Sequence, residues 1–274
     1  MRAAHEVPSV SDLRLFDSCV TLGRVVNSGV PVRLTADNVL AVMDKHDIAE
    51  ALVHDVDARI NYPRSAANRR LLKEVQGIER LHPVWVLEPP DSKDPKAAAD
   101  LVSEMLASGV KVARLMMGVA PPLHWLWRNL CEALEEHRVP CMLDFGDPGD
   151  DMSGGGTRGI PDSHAVDALR EICLAHPQLH MVLSHVSGGL VISYPTMRLI
   201  KRVPNLHIDI TSVVNYWLRT ATEVGPERVF FATGMPFFDP ATFISNVQYC
   251  HELDEPAKKR ICGGNLRELM GAVR

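Results

Sequence analysis

Several polar side chains that could do chemistry stand inside or at the end of short apolar runs. Arg114 interrupts one run, His54 ends another, and His185 stands where a third opens into a glycine-containing stretch. Asp144 and Asp209 occupy two further runs. An imidazole can transfer protons, a carboxylate can orient it, and a guanidinium can hold a substrate carboxylate. These residue types suit acid–base chemistry on a small polar or carboxylate-bearing molecule.

Each of these residues also has a structural interpretation, in which it takes no part in a reaction. If Arg114 points inward, its guanidinium must pair with Asp144 or with a substrate carboxylate, and if it points outward it forms a stabilising ion pair. We favour the inward placement. His54 either lines a binding site or is only a polar strand end. Asp209 either orients His185 or fills a polar layer.

The elements that must position these residues alternate between two kinds of segment. Short apolar runs, typical of strands buried on both faces, are separated by longer segments of helical periodicity. Repeats of a strand and a helix, about 30 residues each, predict an α/β fold, a closed (β/α)8 TIM barrel, with 1–274 as a single domain. An open doubly wound sheet would carry a Gly-rich phosphate loop after its first strand, and none is present. The eight runs are residues 13–17, 51–54, 83–87, 110–116, 140–144, 180–185, 206–210 and 228–233.

Helix starts are marked by capping residues. Thr35 is expected to cap a helix over 36–46, and Asp162 or Ser163 a helix that reaches His176. Asp239 followed by proline is typical of a cap and a first helical position.

One connection, residues 146–161, is longer and richer in glycine than a minimal turn. On the barrel prediction it lies over the C-terminal face. It is either a mobile lid over a substrate or a surface insertion without a role.

Composition restricts the class of protein. Hydrophobic residues make up 46% and charged residues 23% of the chain, and the net charge is −5. No basic patch predicts nucleic-acid binding, and no apolar run is long enough to span a membrane. The six cysteines form no CxxC pair, and the N-terminus has no apolar stretch of the kind found in secretory signals, so we expect a cytoplasmic protein.

Five stretches carry the motifs of a known family in that family's order. Residues 16–23 align with an opening D-x-H-x-H-x-G, residues 140–146 with a fifth-strand motif that ends in histidine, and residues 182–189 with a sixth-strand H-x-G-G. Residues 225–236 align with G-P-x-R followed by G-S-D-x-P, and residues 263–266 with a terminal G-N. Together they resemble the amidohydrolase-related family of metal-dependent hydrolases.

The resemblance implies a site that this chain has largely replaced. The family's metals are held by two first-strand histidines, fifth- and sixth-strand histidines and an eighth-strand aspartate. The corresponding residues here are Cys19 and Thr21, Asp144, His185 and Gly234. Only His185 keeps its identity, and Gly234 can act neither as a ligand nor as a base. The usual metal-hydroxide mechanism therefore does not carry over.

Two kinds of site stay open for Cys19, Asp144 and His185, which on this resemblance face one another at the barrel mouth. Thiolate, carboxylate and imidazole can hold one divalent metal such as zinc. In a site without metal, His185 acts as a general base oriented by Asp144, and Cys19 is a nucleophile. Cys19 could also be a buried, inert thiol, and His185 a structural histidine.

We therefore hold two main hypotheses. The first is an enzyme that hydrolyses a small polar or carboxylate-bearing substrate, or cleaves it by a lyase step, with His185, Asp144 and Cys19 as catalytic residues and Arg114, His54 and Asp209 on the substrate. The second is a pseudoenzyme barrel that binds a metabolite or a partner protein. A weaker third is a subunit of a larger complex. A homodimer is expected by analogy with such barrels.

Overall fold

A single sheet of nine strands forms the centre of the described part of the chain. The structure is a computed structural model that describes residues 7–27, 30–60, 63–89, 94–117, 120–145, 162–184, 194–213 and 216–274. The strands are β1 Leu15–Asn27, β2 Val30–Leu34, β3 Ile48–Asp55, β4 Leu81–Leu87, β5 Val112–Met116, β6 Cys141–Asp144, β7 Met181–Ser184, β8 Leu206–Asp209 and β9 Val229–Phe230. Their order is β2-β1-β3-β4-β5-β6-β7-β8-β9, antiparallel between β1 and β2 and parallel elsewhere.

The sheet closes on itself through the chain that follows β9. Val20 of β1 and Met235 form a parallel bridge. Beside it, the Gly234 amide donates to the Cys19 carbonyl at 3.1 Å. The parallel strands therefore form a closed barrel, and the predicted (β/α)8 TIM barrel is confirmed.

Every predicted apolar run overlaps a strand, but β2 was not predicted. It extends β1 as an antiparallel hairpin. Val32 and Leu34 are half-buried while Pro31 and Arg33 are exposed, which is the alternation of a strand with one solvated face. Continuous apolar runs identify strands that are buried on both faces, and the alternating pattern of β2 is not such a run.

Helices follow most of the barrel strands. Those of the described residues are α1 Val10–Leu13, α2 Ala36–Lys45, α3 Val56–Ile60, α4 Ser65–Glu74, α5 Pro95–Ala107, α6 His124–Glu136, α7 Asp162–Ala175, α8 Tyr194–Arg202, α9 Trp217–Val224, α10 Pro240–Gln248, α11 Glu255–Lys259 and α12 Asn265–Gly271.

Two of the predicted helix caps, Thr35 and Asp239, agree with the structure. The Thr35 hydroxyl accepts from the Asn38 amide at 3.3 Å, and the Asn38 side chain accepts from the Thr35 amide at 3.2 Å, which makes a capping box on α2. Asp239 caps α10 by accepting from the Ala241 amide at 2.9 Å. α7 begins at Asp162, so Asp162 and Ser163 lie within the helix and neither precedes it as the predicted cap would.

An apolar layer fills the barrel near the start of the strands. It takes one side chain from each of seven strands and one from α12, and all of them are buried. The layer separates the C-terminal end of the barrel, which we call the mouth, from the helix that covers the opposite end. Its members are Phe16, Leu52, Val84, Val112, Met142, Val182, Phe230 and Leu266.

Candidate active site at the barrel mouth

The barrel interior changes from apolar to polar toward the mouth. Side chains alternate along a strand, so residues two positions after the apolar layer also face the interior. On β3, β5, β6 and β7 these residues are polar, and all four side chains are buried. They are His54, Arg114, Asp144 and Ser184.

The guanidinium of Arg114 lies at the centre of this polar layer. Its Nη1 donates to Asp144 Oδ2 at 2.9 Å, and its Nη2 lies 3.4 Å from both Cys19 Sγ and Ser184 Oγ. Arg114 is only 1% exposed. The structure therefore gives the inward placement, with Asp144 as the partner.

A second arginine, which the sequence analysis missed, reaches the same carboxylate. Arg59 Nε donates to Asp144 Oδ2 at 2.9 Å, and Arg59 Nη2 lies 3.4 Å from Asp144 Oδ1. Arg59 belongs to α3, the short helix that directly follows β3, and its side chain is buried. The position of Arg59 just after a strand end could have marked it as a residue of the mouth, but only the tertiary structure identifies Asp144 as its partner.

Two buried guanidinium groups thus share one carboxylate, and we call Arg59, Asp144 and Arg114 the arginine–aspartate trio. Burial weakens the screening of these charges by water. The trio itself carries net positive charge, although Asp17 and Asp209 lie near enough to act electrostatically on the neighbouring Cys19. A buried charge of this kind must be balanced by nearby groups or by a ligand.

The surroundings of Cys19 favour its neutral form. Burial raises the pKa of the Cys19 thiol to about 11, Arg114 partly opposes the rise, and the Asp209 and Asp17 carboxylates add to it. A nucleophilic cysteine needs a lowered pKa. Of the alternatives for Cys19, this environment favours the buried thiol.

Asp17 joins the first strand to the last segment of the barrel. Its Oδ1 accepts from the Cys19 amide at 3.0 Å and from the Thr233 amide at 2.9 Å, and its Oδ2 accepts from the Thr233 hydroxyl. Burial raises the pKa of Asp17 to about 7 in spite of these hydrogen bonds. Asp17 thus links β1 to the segment after β9, where the barrel closes. Its position in the first-strand motif did not reveal this contact.

His54 and Asp209 lie near the C-terminal ends of β3 and β8. His54 Nε2 lies 3.2 Å from Thr21 Oγ1 on the neighbouring strand, so the Thr21 hydroxyl already has a partner. Asp209 accepts from the Thr211 hydroxyl at 2.7 Å and is fully buried. Both side chains belong to the polar interior of the described barrel.

Two predictions fall outside the described residues. His185 directly follows the end of β7, and the loop 146–161 follows β6. Their proposed roles therefore stay predictions. Ser184, the last residue of β7, contacts Arg114.

The donor set that the described residues present at the mouth does not fit a divalent metal. Arg114 contacts both Cys19 and Asp144, the two described ligand positions that carry donor atoms suited to a metal at the centre. A cation placed there would meet two guanidinium groups, and two unit charges 4 Å apart repel by about 4 kcal/mol even at an effective dielectric constant of about 20. Within the described ranges, no group of three or more His, Cys, Asp or Glu side chains is arranged to hold a metal ion.

Comparison with known proteins now places the chain in a family. The model of the amidohydrolase family matches residues 30–271, which is most of the sequence. The chain belongs to the amidohydrolase family. The resemblance drawn from the motifs is confirmed. No protein with a curated description matches the chain.

Solved structures similar to this amidohydrolase-family protein share its barrel. 5-Carboxyvanillate decarboxylase from Sphingomonas paucimobilis is 16% identical with a TM-score of 0.69, over 96% of this chain and 100% of that chain. A dihydroxybenzoic acid decarboxylase from Polaromonas sp. JS666, solved with manganese and 2-nitroresorcinol, is 14% identical with a TM-score of 0.68, over 94% and 96%. 4-Oxalomesaconate hydratase from Rhodopseudomonas palustris is 16% identical with a TM-score of 0.61, over 86% and 80%. At such identities the likeness establishes the fold alone.

None of the described helices is long and apolar enough to cross a membrane.

Proposed function

We propose that this protein is an enzyme that acts on a small carboxylate-bearing molecule at the barrel mouth, by a hydrolytic or a lyase step. The observation that carries the proposal is the arginine–aspartate trio. Arg59 and Arg114 converge on Asp144 from a rim helix and a barrel strand, and all three side chains are buried.

The charge of the trio favours an anionic ligand. A carboxylate accepts paired hydrogen bonds from a guanidinium, and such bonds strengthen where water is excluded. Asp144 is the only carboxylate in ion-pair contact with either arginine among the described residues. A substrate carboxylate would supply the second negative group that the two arginines can accommodate.

The chemistry of the similar structures agrees with this class of substrate. Two of those compared are named decarboxylases and one is named a hydratase, and their named substrates are carboxylic acids. Loss of carbon dioxide and addition of water are lyase reactions, whereas the family model is that of amidohydrolases. We therefore keep both reaction types within the proposal.

We assign the residues of the mouth the following roles. His185 transfers the proton, and Asp144 orients the cationic groups around the substrate. Arg59 and Arg114 hold the substrate carboxylate, and His54 and Asp209 line the pocket. Cys19 acts by its contact with Arg114, since its raised pKa disfavours attack as a thiolate.

Ligand binding and turnover test the proposal with defined probes. Purified protein is titrated with 5-carboxyvanillate, 2,6-dihydroxybenzoate and 4-oxalomesaconate, and each mixture is followed by NMR and by the thermal unfolding midpoint. The matched controls are the methyl esters of the same acids. Arg59→Met is compared with Arg219→Ala, because Arg219 lies on the exposed face of α9 and pairs only with Glu223 in the described structure.

We expect at least one acid, and not its ester, to raise the unfolding midpoint of the wild type and of Arg219→Ala. Arg59→Met should lose this effect, and His185→Ala should lose turnover. The NMR spectra of the products separate the reaction types, because decarboxylation removes one carbon as carbon dioxide, hydration adds water to an intact carbon skeleton, and hydrolysis gives two fragments. Equal binding of acids and esters, or unchanged binding in Arg59→Met, would contradict the proposed role of the trio.

A binding protein without catalysis is the second candidate. It is favoured by the replacement of the family's ligand residues, Cys19 and Gly234 among them, and by the engagement of Asp144 with two arginines. Acid-specific binding with no turnover of any probe, and with no effect of His185→Ala, would select this candidate over the enzyme.

A further inference from the structure

Three barrel strands converge on one guanidinium. Arg114 lies 2.9 Å from Asp144 of β6 and 3.4 Å from Cys19 of β1 and from Ser184 of β7. The contacts span residues up to 95 positions apart in sequence. The guanidinium therefore holds together, at the centre of the mouth, groups that the chain brings from separate parts of the barrel.

The positions it contacts are those at which the family holds its metal. Cys19 and Asp144 correspond to first-strand and fifth-strand ligands, and Arg114 contacts both. We infer that the Arg114 guanidinium, supported by Arg59, takes the place of the divalent metal, so that the centre of this mouth is a fixed organic cation and binds no metal ion. The inference does not depend on the proposed function, because it concerns the cation and not a substrate.

The chemistry of the two cations explains how a guanidinium can replace a metal ion. A divalent metal and a guanidinium both use the lone pairs of carboxylate and sulfur groups. A guanidinium offers five N–H donors and no lone pair, and it stays charged at every physiological pH. Asp144 Oδ2 accepts from both Arg114 Nη1 and Arg59 Nε, and Arg59 Nη2 lies 3.4 Å from Oδ1, so a metal would have to compete with two guanidinium groups for this carboxylate.

The eighth-strand position supports the same conclusion independently. Gly234 has a φ of +67°, a conformation that side chains rarely adopt, and a Cβ there would lie 2.9 Å from the Phe238 ring. The backbone at this position is therefore shaped for a residue without a side chain. An aspartate here, as in the family's metal site, would have to adopt a left-handed backbone and displace the Phe238 ring.

Cobalt binding tests the inference directly. The full chain is freed of metal with chelator and titrated with Co²⁺, and thiolate-to-cobalt charge-transfer absorption reports a cysteine ligand. Cys19→Ser tests the mouth. Cys250→Ser is the matched control, because Cys250 lies on the outside of the barrel near Glu252, where Sγ lies 3.4 Å from a carboxylate oxygen. The zinc and manganese content of protein purified without chelator is measured alongside.

The wild type is expected to give no charge-transfer band, or a band that Cys250→Ser removes and Cys19→Ser keeps. It is also expected to unfold at the same temperature with chelator as with added Zn²⁺ or Mn²⁺. A band lost in Cys19→Ser and kept in Cys250→Ser would overturn the inference. Stoichiometric zinc or manganese that raises the unfolding temperature and is lost in Asp144→Asn would overturn it equally.

Discussion

The chemistry of the mouth is set by a few buried charges, of which Arg114 is the most connected. Taking a charge out of water is costly, and its partners repay that cost only when the contacts are close. Arg114 meets this condition through Asp144, Cys19 and Ser184. The same contacts bear on stability and on the identity of the central cation.

Arg114→Met should therefore destabilise the protein strongly. The change keeps much of the side-chain volume but removes the 2.9 Å ion pair between Arg114 and Asp144, and breaking a buried pair costs about 3 kcal/mol or more of unfolding free energy. Urea denaturation measures the loss. Arg219→Ala, at an exposed pair, is expected to change stability little, and an equal effect of the two variants would argue against the central role of Arg114.

Asp17 should make stability depend on pH in a direction unusual for a carboxylate. Its pKa in the folded protein is about 7, above its ordinary value of 3.8, so the folded state binds the proton more tightly. This contribution is fully present below pH 3.8 and is lost as the pH rises through about 7.

Asp17→Asn tests this effect with a side chain that mimics the protonated form. The amide oxygen can accept from the Cys19 and Thr233 amides, and the amide nitrogen can donate to the Thr233 hydroxyl. Relative to the wild type, Asp17→Asn should gain stability as the pH rises from 4 to 8, by an amount on the order of a few kcal/mol. A constant difference across this range, measured by denaturant titration, would contradict the assignment.

At the scale of elements, short segments position the chemistry. α3 is a five-residue helix, yet it carries Arg59 to the centre of the mouth. The strands act by register, because Met116 pairs with Asp144 and Asp144 with Ser184. A shift by one residue would turn Asp144 away from the interior.

The capping box of α2 provides a test at this scale. Thr35→Ala removes the hydroxyl that accepts from the Asn38 amide and should cost about 1 kcal/mol of unfolding free energy. Thr35→Ser keeps a hydroxyl and should cost much less. Equal losses in thermal or urea unfolding would show that the cap hydrogen bond contributes little to the stability of α2.

The whole molecule is a barrel whose two ends differ in character. The mouth holds the trio, while the opposite end holds a histidine pair in which His180 Nδ1 lies 2.9 Å from His207 Nε2. His207 packs edge-on against Phe230 of the apolar layer. Burial, the Arg228 charge and His180 together hold the pKa of His207 well below its ordinary value of 6.5.

This histidine pair should make the folded barrel sensitive to acid. Because the pKa of His207 is lowered on folding, its contribution to stability is present above pH 6.5 and is lost as the pH falls below that value. His207→Gln should flatten this loss between pH 6.5 and pH 5 in denaturant titrations. An unchanged slope in His207→Gln would contradict the assignment.

The sequence by itself determined the alternation of strands and helices, the (β/α)8 fold and the family, because buried parallel strands are continuous apolar runs and helix caps are local. It also placed Arg114 and Asp144 on strands that end at one mouth. Only the tertiary structure decided which groups meet. Arg59 and Asp144 are 85 positions apart, and Asp17 and Thr233 are 216 apart, so their contacts exist only once the barrel has closed. The exchange of a metal for a guanidinium follows from that closure, since no local pattern reveals which side chain will occupy the centre of a ring of strands.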